Sequence, residues 1–211
     1  RDVREYFVFT SEDDFQDLFT SIKNILLLEG NNAWGLQEAL DIIFEENFIK
    51  NEELGFKLIE EFLANYPSGI NPLYKPIKLI TASKNYCLKL WNALKNWNHD
   101  YKIFWQLTFF ECLPVEFIDK SFANELIDTI NSIDRRCYLH FDSFEKFESI
   151  NEEIIKEILV IVNKKNANDN LGISLQHNFF AKYTNKLKDN LDLICSAYLY
   201  EDKTSNHFDY E

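Results

Sequence analysis

The chain has 211 residues, of which 46% are hydrophobic and 16% aromatic, so it can build a sizeable core and does not have the composition of a disordered chain. Five glycines and four prolines are too few for an all-β sandwich or barrel, which needs turn residues every ~8–12 positions. The formal net charge of −13 disfavours nucleic acid as a partner, because phosphate binding depends on clustered Lys and Arg.

Caps and apolar spacing predict three helices in the first part of the chain. Ser11 can cap the first helix, with Asp14 at its third position and Gly30 as its stop. A second helix covers residues 33–47, and Asn51 caps a third. The stripe expected to face the core in the first helix comprises Phe15, Leu18, Phe19, Ile22, Ile25 and Leu26.

The middle of the chain continues the pattern of helices in pairs. Pro72 can open a short helix that ends near Ala82, Ser83 and Asp100 can cap the next two, and Pro114 can close the last of these.

The last part of the chain predicts further helices and one loop. Helices are expected after Ser121, Asn151 and Ser174, and a final amphipathic helix is expected to bury Leu191, Ile194, Cys195, Tyr198 and Leu199. The polar stretch "KKNANDNLG" at 164–172 predicts a loop.

About ten helices and no strand are therefore expected, in an all-α irregular solenoid of HEAT- or armadillo-like helix pairs. We expect residues 1–163 to form the helical array, 164–173 the loop, and 174–211 helices that continue into a longer protein.

Sequence motifs indicate no cofactor and no metal site. The chain has no phosphate-binding loop, dinucleotide fingerprint, zincin helix or nucleophile elbow, and its four cysteines form no C-x-x-C pair. His99, His177 and His207 have no second His or Cys three or four residues away, and paired acids such as Glu52/Glu53 are typical of a solvated helix face. With no apolar run long enough for a membrane span, a cytoplasmic protein is expected.

The segment "DRRCYLHFD" at 134–142 carries the one spacing that suggests catalysis. Arg135-x4-His140 resembles the R-x4-6-H signature of HEPN ribonucleases, which implies an all-α RNase in which Arg and His act on a phosphodiester. Five residues apart on a helix, these two side chains diverge by ~140°, whereas Arg136 and His140 share a face. The competing interpretation is a helix end, with Ile130, Ile133, Cys137 and Phe141 buried and the arginines near the C-terminal dipole.

Aromatic residues crowd the predicted turn between the two helices capped at Ser83 and Asp100. Most should belong to the core, but Trp97 and Tyr101 flank the turn and are candidate anchors for a protein partner.

A family resemblance completes the sequence evidence. "NDNLGISLQHNFFAKY" at 168–183, the Tyr198-x-Tyr200 helix end with "HFDYE" at 207–211, and "NNAWGLQEALDII" at 31–43 resemble the helical-repeat region of large bacterial STAND-type defence NTPases. The resemblance implies a noncatalytic sensor or scaffold segment that binds a protein partner or other domains of its parent chain, without a cofactor. A HEPN-like ribonuclease is the alternative, and a structural helical domain of an unrelated enzyme is a third.

Overall fold

A computed structural model describes residues 8–29, 34–66, 70–169, 171–175 and 179–197. The chain is all-α and divides into two compact units, Arg1–Pro114 and Val115–Glu211. In the described residues, no helix is long and apolar enough to cross a membrane.

In its described residues, the first unit contains six helices that follow a short 3-10 turn at Glu12–Asp14. The helices are α1 (Phe15–Glu29), α2 (Trp34–Lys50), α3 (Glu52–Ala64), α4 (Tyr74–Ala82), α5 (Cys87–Asn96) and α6 (Lys102–Cys112). Helix α2 contacts both α3 and α4, and α4 contacts both α5 and α6.

Two of the predicted N-terminal signals are confirmed. A carboxylate oxygen of Asp14 accepts a hydrogen bond from the Ser11 N–H at 3.4 Å, and the Asn51 side chain accepts one from the Leu54 N–H at 3.2 Å. The predicted apolar stripe of α1 faces inward, with three members buried and three half-buried. Gly30 lies outside the described residues.

The predicted caps at Ser83 and Asp100 are wrong. Tyr86 and Tyr101 occupy the N-cap positions of α5 and α6, and neither makes a side-chain cap. Ser83 instead ends α4, where its backbone N–H bonds to the Ile80 carbonyl and its hydroxyl reaches Glu52.

The α2–α3 hairpin is the most closely packed contact of this unit. Gly55 lies against the backbone of the last turn of α2, where an added Cβ would be 2.4 Å from the Phe48 Cα. Farther along the hairpin, the Phe44 and Phe62 rings meet edge to face at 5.0 Å. The missing side chain at Gly55 is therefore what lets the two helices approach so closely.

The second unit combines helices with one small sheet. Its helices are α7 (Lys120–Asn131), α8 (Phe141–Phe144), α9 (Ile154–Asp169) and α10 (Phe179–Lys186), with 3-10 turns at Val115–Phe117, Glu145–Ser149 and Lys188–Asn190, and residues 191–197 are again helical. Strand β1 (Tyr138–Leu139) pairs in parallel with β2 (Ser174–Leu175).

The structure corrects three expectations for this unit. Helix α9 continues to Asp169 through most of the predicted loop, and the chain divides after Pro114 rather than at 164–173. The loop prediction failed because Asn166 is buried, with its amide bonded in both directions to the Ile173 backbone at 2.9 Å. Ser174 lies in a strand and caps no helix.

The final helix faces the core differently from the prediction. Ile194 is buried as expected, whereas Leu191 and Cys195 are exposed. Tyr198 and Leu199 lie outside the described residues.

Candidate functional site

An aromatic cluster joins the end of α3 to the turn between α5 and α6. Tyr66 is its hub, and its ring contacts those of Trp97, His99, Tyr101 and Trp105 at centroid distances of 5.0 to 5.9 Å. The Trp97 and His99 rings stack at 4.8 Å with only 7° between their planes. The chain thus places five aromatic rings at one turn.

Backbone hydrogen bonds hold this turn in place. The Trp97 indole N–H donates to the Leu63 carbonyl at 2.8 Å, which satisfies one of the carbonyls left open at the end of α3. The Tyr101 N–H donates to His99 Nδ1 at 3.1 Å, so a neutral His99 carries its proton on Nε2. The cluster is therefore part of the framework of the unit.

Burial makes the hub a poor acid or base. Burial raises the pKa of the Tyr66 hydroxyl, and this hydroxyl donates to the Ile70 carbonyl. The Trp105 indole N–H is also buried, and its interaction with the Tyr66 hydroxyl lowers the pKa of that hydroxyl less than burial raises it. A tyrosine that stays protonated and an indole are both donors at neutral pH, so these two groups cannot abstract a proton.

Trp97 and Tyr101, the predicted partner anchors, are both half-buried on this cluster. Both rings contact those of Tyr66 and of the half-buried His99, and both keep part of their surface exposed. The assignment of Trp97 and Tyr101 as anchors for a partner stays a prediction.

The segment 134–142 contains no continuation of α7. That helix ends at Asn131, and residues 138–139 form β1, where the Ser174 N–H donates to the Cys137 carbonyl at 2.9 Å. The predicted helix end at this segment is wrong, because pairing with a strand 36 residues away replaces the helical hydrogen bonds. Its predicted apolar set is nevertheless buried: Ile130, Ile133, Cys137 and Phe141.

Side chains alternate along this extended segment. Cys137 and Leu139 are buried, whereas Arg136, Tyr138 and His140 are exposed. Arg136 and His140 therefore point to the same side, as the four-residue spacing predicted. The reason is the alternation of side chains in an extended segment and not the periodicity of a helix. Four extended residues separate the two Cα atoms by roughly 13 Å.

Arg135 and His140 make local contacts. Arg135 Nε lies 3.1 Å from an oxygen of Asp134, and the His140 ring packs edge to face on Tyr138 at 4.9 Å. The His140 carbonyl accepts the Ser143 N–H at 2.9 Å and so opens the short helix α8. These contacts orient both side chains without bringing them together.

An ionic network on the second unit was missed by sequence reasoning. Lys182 on α10 contacts Asp142 at 2.5 Å and Glu145 at 2.9 Å, and Lys186 contacts Glu148 at 2.6 Å. Burial raises the pKa of Glu145, but hydrogen bonds from Lys182 and Tyr183 outweigh it and leave the pKa below its usual value. The three- and four-residue spacing of these charges indicates that each set lies on an exposed face, but it does not indicate that the acids pair with the lysines.

The acid pairs form no ligand set. Glu52/Glu53, Glu60/Glu61 and Glu152/Glu153 are exposed, as predicted, and Glu45/Glu46 are half-buried. Within the described ranges, no group of three or more His, Cys, Asp or Glu side chains is placed to hold a metal ion. His177 and His207 lie outside these ranges.

The fold and these contacts define an all-α protein with an aromatic turn on one unit and, on the other, a segment that exposes Arg136, Tyr138 and His140. The chain matches no protein-family model, no curated protein and no solved structure.

Proposed function

We propose that this chain is a noncatalytic α-helical repeat domain that serves as the sensor or scaffold segment of a larger bacterial anti-phage defence NTPase. Its task in that protein is to bind a protein partner or other domains of the same chain in the cytoplasm.

One observation supports the repeat architecture most directly: several hydrogen bonds of the first unit join residues that are 34 positions apart. Gln37 bonds to Asn71, Asp41 to the Lys75 backbone and Trp97 to Leu63, each across 34 positions.

The second unit has similar separations. Lys165 bonds to the Ile133 carbonyl across 32 positions, and Lys186 to Glu148 across 38. Each interval corresponds to one helix pair, which is how solenoid repeats of ~34–47 residues stack on their neighbours.

A stacked array of this kind suits binding rather than catalysis. Repeat arrays present extended surfaces, and binding residues lie on those surfaces while the buried residues hold the stack together. The rim of the aromatic turn, with Trp97 and Tyr101, is one such surface in the first unit.

The test is to read the gene on both sides of the segment that encodes this chain. We expect the same reading frame to encode a phosphate-binding loop, G-x-x-x-x-G-K-[ST], upstream of residue 1. A reading frame that contains no nucleotide-binding module would overturn the assignment to a defence NTPase.

A second candidate function, a HEPN-like ribonuclease, is favoured by the shared exposed side of Arg136 and His140. The resemblance to HEPN ribonucleases implies that a second subunit would pair with this one to complete the site. Cleavage of RNA that is lost in both Arg136→Ala and His140→Ala would establish this function in place of the first.

A further inference from the structure

The distribution of charge along the first unit is uneven. The chain carries 35 acidic residues, yet residues 62 to 99 contain none and include five lysines: Lys75, Lys78, Lys84, Lys89 and Lys95. This acid-free stretch covers α4 and α5, and it stands out in a protein whose net charge is −13.

Two of these lysines, Lys89 and Lys95, lie on the exposed side of α5, and Lys84 lies in the turn just before this helix. Lys84, Leu88, Lys89, Asn92 and Lys95 are all exposed, and we call them the α5 outer face. Leu88, Asn92 and Lys95 follow the i, i+4, i+7 spacing of a single helix stripe, and Lys84 lies one turn before Leu88. The opposite side of α5 is buried.

Local contacts preserve the positive charge of this face. Within the part of the chain that the structure describes, Lys84 and Lys89 form no ion pair, and the Lys89 ammonium lies 4.6 Å from the centre of the Tyr86 ring. At the far end, the Lys102 ammonium bonds to the Lys95 carbonyl at 2.6 Å and adds another cation.

An apolar residue lies in the middle of this charged face. Leu88 is 59% exposed, between lysines four residues before and one residue after it. A protein helix that alternates acidic and apolar side chains would match both features, since its acids would meet the lysines and its apolar side chains would cover Leu88.

A nucleic acid would match this face less well. The face carries no arginine, the residue that holds phosphates in a bidentate way. Glu52 also borders its N-terminal end, where it accepts a hydrogen bond from Ser83 at 3.5 Å. A continuous phosphate chain would be repelled there, whereas a short acidic helix can end before it.

We propose that the α5 outer face is the docking surface for an acidic amphipathic helix of a protein partner. This inference rests on the proposed interaction function and assigns its partner chemistry.

The experiment measures fluorescence anisotropy of a labelled peptide titrated with the full 211-residue chain. The probe is a designed helix of about five turns with Glu and Leu on one face, and the same peptide with Gln for Glu is the neutral probe. We expect binding of the acidic probe at low salt, weakening as salt increases, and no binding of the neutral probe.

The test variant is Lys84→Glu with Lys89→Glu, and the matched control is Lys23→Glu with Lys50→Glu, which reverses two exposed lysines of α1 and α2. Reversal on the α5 outer face should weaken binding by about tenfold, because two exposed attractions become repulsions. The control should change binding by no more than about twofold, through the net charge alone.

Three outcomes would overturn the inference: no binding of the acidic probe at low salt, equal loss in the two double variants, or tighter binding of oligouridine that Lys84→Glu with Lys89→Glu abolishes. Far-ultraviolet circular dichroism of both variants confirms that they are folded. A negative peptide-binding result would not change the outcome of the gene-sequence test of the proposed function. A reading frame without a nucleotide-binding module would likewise not change the peptide-binding result.

Discussion

The contact at Gly55 predicts a large loss of stability for the smallest possible substitution, Gly55→Ala. The new methyl group would lie 2.4 Å from the Phe48 Cα and 2.6 Å from its nitrogen. Carbon atoms in contact are normally at least ~3.5 Å apart, so α3 would have to move away from α2 by about 1 Å. Both clashing atoms belong to the backbone, so no rotamer change can relieve the overlap.

The size of the effect follows from two opposing contributions. Overpacking of this kind costs about 3 kcal/mol at the upper end of its usual range, since the helices must separate. Alanine gains about 1 kcal/mol over glycine within a helix. The net loss is about 2 kcal/mol, which should lower the melting temperature by roughly 6 °C.

Gly35→Ala is the matched control, because the same substitution there meets no atom within 4 Å. It should raise the free energy of unfolding by about 0.5 kcal/mol, since the helix propensity gain is then unopposed. Thermal melts followed by circular dichroism measure both variants. A Gly55→Ala protein that melts at or above the wild-type temperature would refute the close-packing argument.

Three further predictions follow from the same contacts. Asn166→Ala should lower the free energy of unfolding, measured by urea denaturation, by about 2 kcal/mol, because it leaves the buried backbone N–H and C=O of Ile173 unpaired. Substitution of the exposed Asn168 by Ala should change this free energy little. Equal effects of the two substitutions would contradict the assigned hydrogen bonds. Burial raises the pKa of the Cys137 thiol from 9.0 to about 12, so the contribution of this thiol to stability is present below pH 9 and is lost as the pH rises toward 12. In thermal melts at increasing pH, the difference in melting temperature between wild type and Cys137→Val should therefore become smaller. A difference that stays constant with pH would refute this prediction. Anisotropy with labelled RNA and DNA should show weak binding that disappears at physiological salt, and submicromolar binding there would count against the assignment to protein partners.

Local signals in the sequence predicted much of the first unit correctly. The Asn51 cap and the apolar stripe of α1 depend on residues within a few positions of one another, and both are present in the structure. The predictions of caps at Ser83 and Asp100 were wrong because α5 and α6 each begin after a backbone turn and have no side-chain cap.

Long-range pairing explains the main failure in the second unit. The spacing of Ile130, Ile133, Cys137 and Phe141 fits a helix, and all four are buried, yet the chain leaves helical geometry after Asn131. The alternation of polar and apolar residues from 136 to 141 was a strand signal, but a two-residue strand is stable only with its distant partner. No residue near this segment indicates which distant strand it pairs with.

The candidate site was only partly visible in the sequence. The aromatic crowding around Trp97 predicted that most of these residues belong to the core, but the position of Tyr66 among them depends on how α3 meets the α5–α6 turn. The acid-free stretch behind the α5 outer face can be read directly from the sequence, whereas its exposure requires the structure.

The most direct test of the central claim measures phage resistance in cells that express the complete reading frame of this protein. Plating efficiency would be compared for wild type, His140→Ala, and Lys84→Glu with Lys89→Glu, with expression levels matched by immunoblot. A noncatalytic docking segment predicts that His140→Ala protects as wild type does and that the double lysine variant loses protection. Loss of protection in a stably expressed His140→Ala, with the lysine variant still protective, would contradict the account and establish the ribonuclease instead.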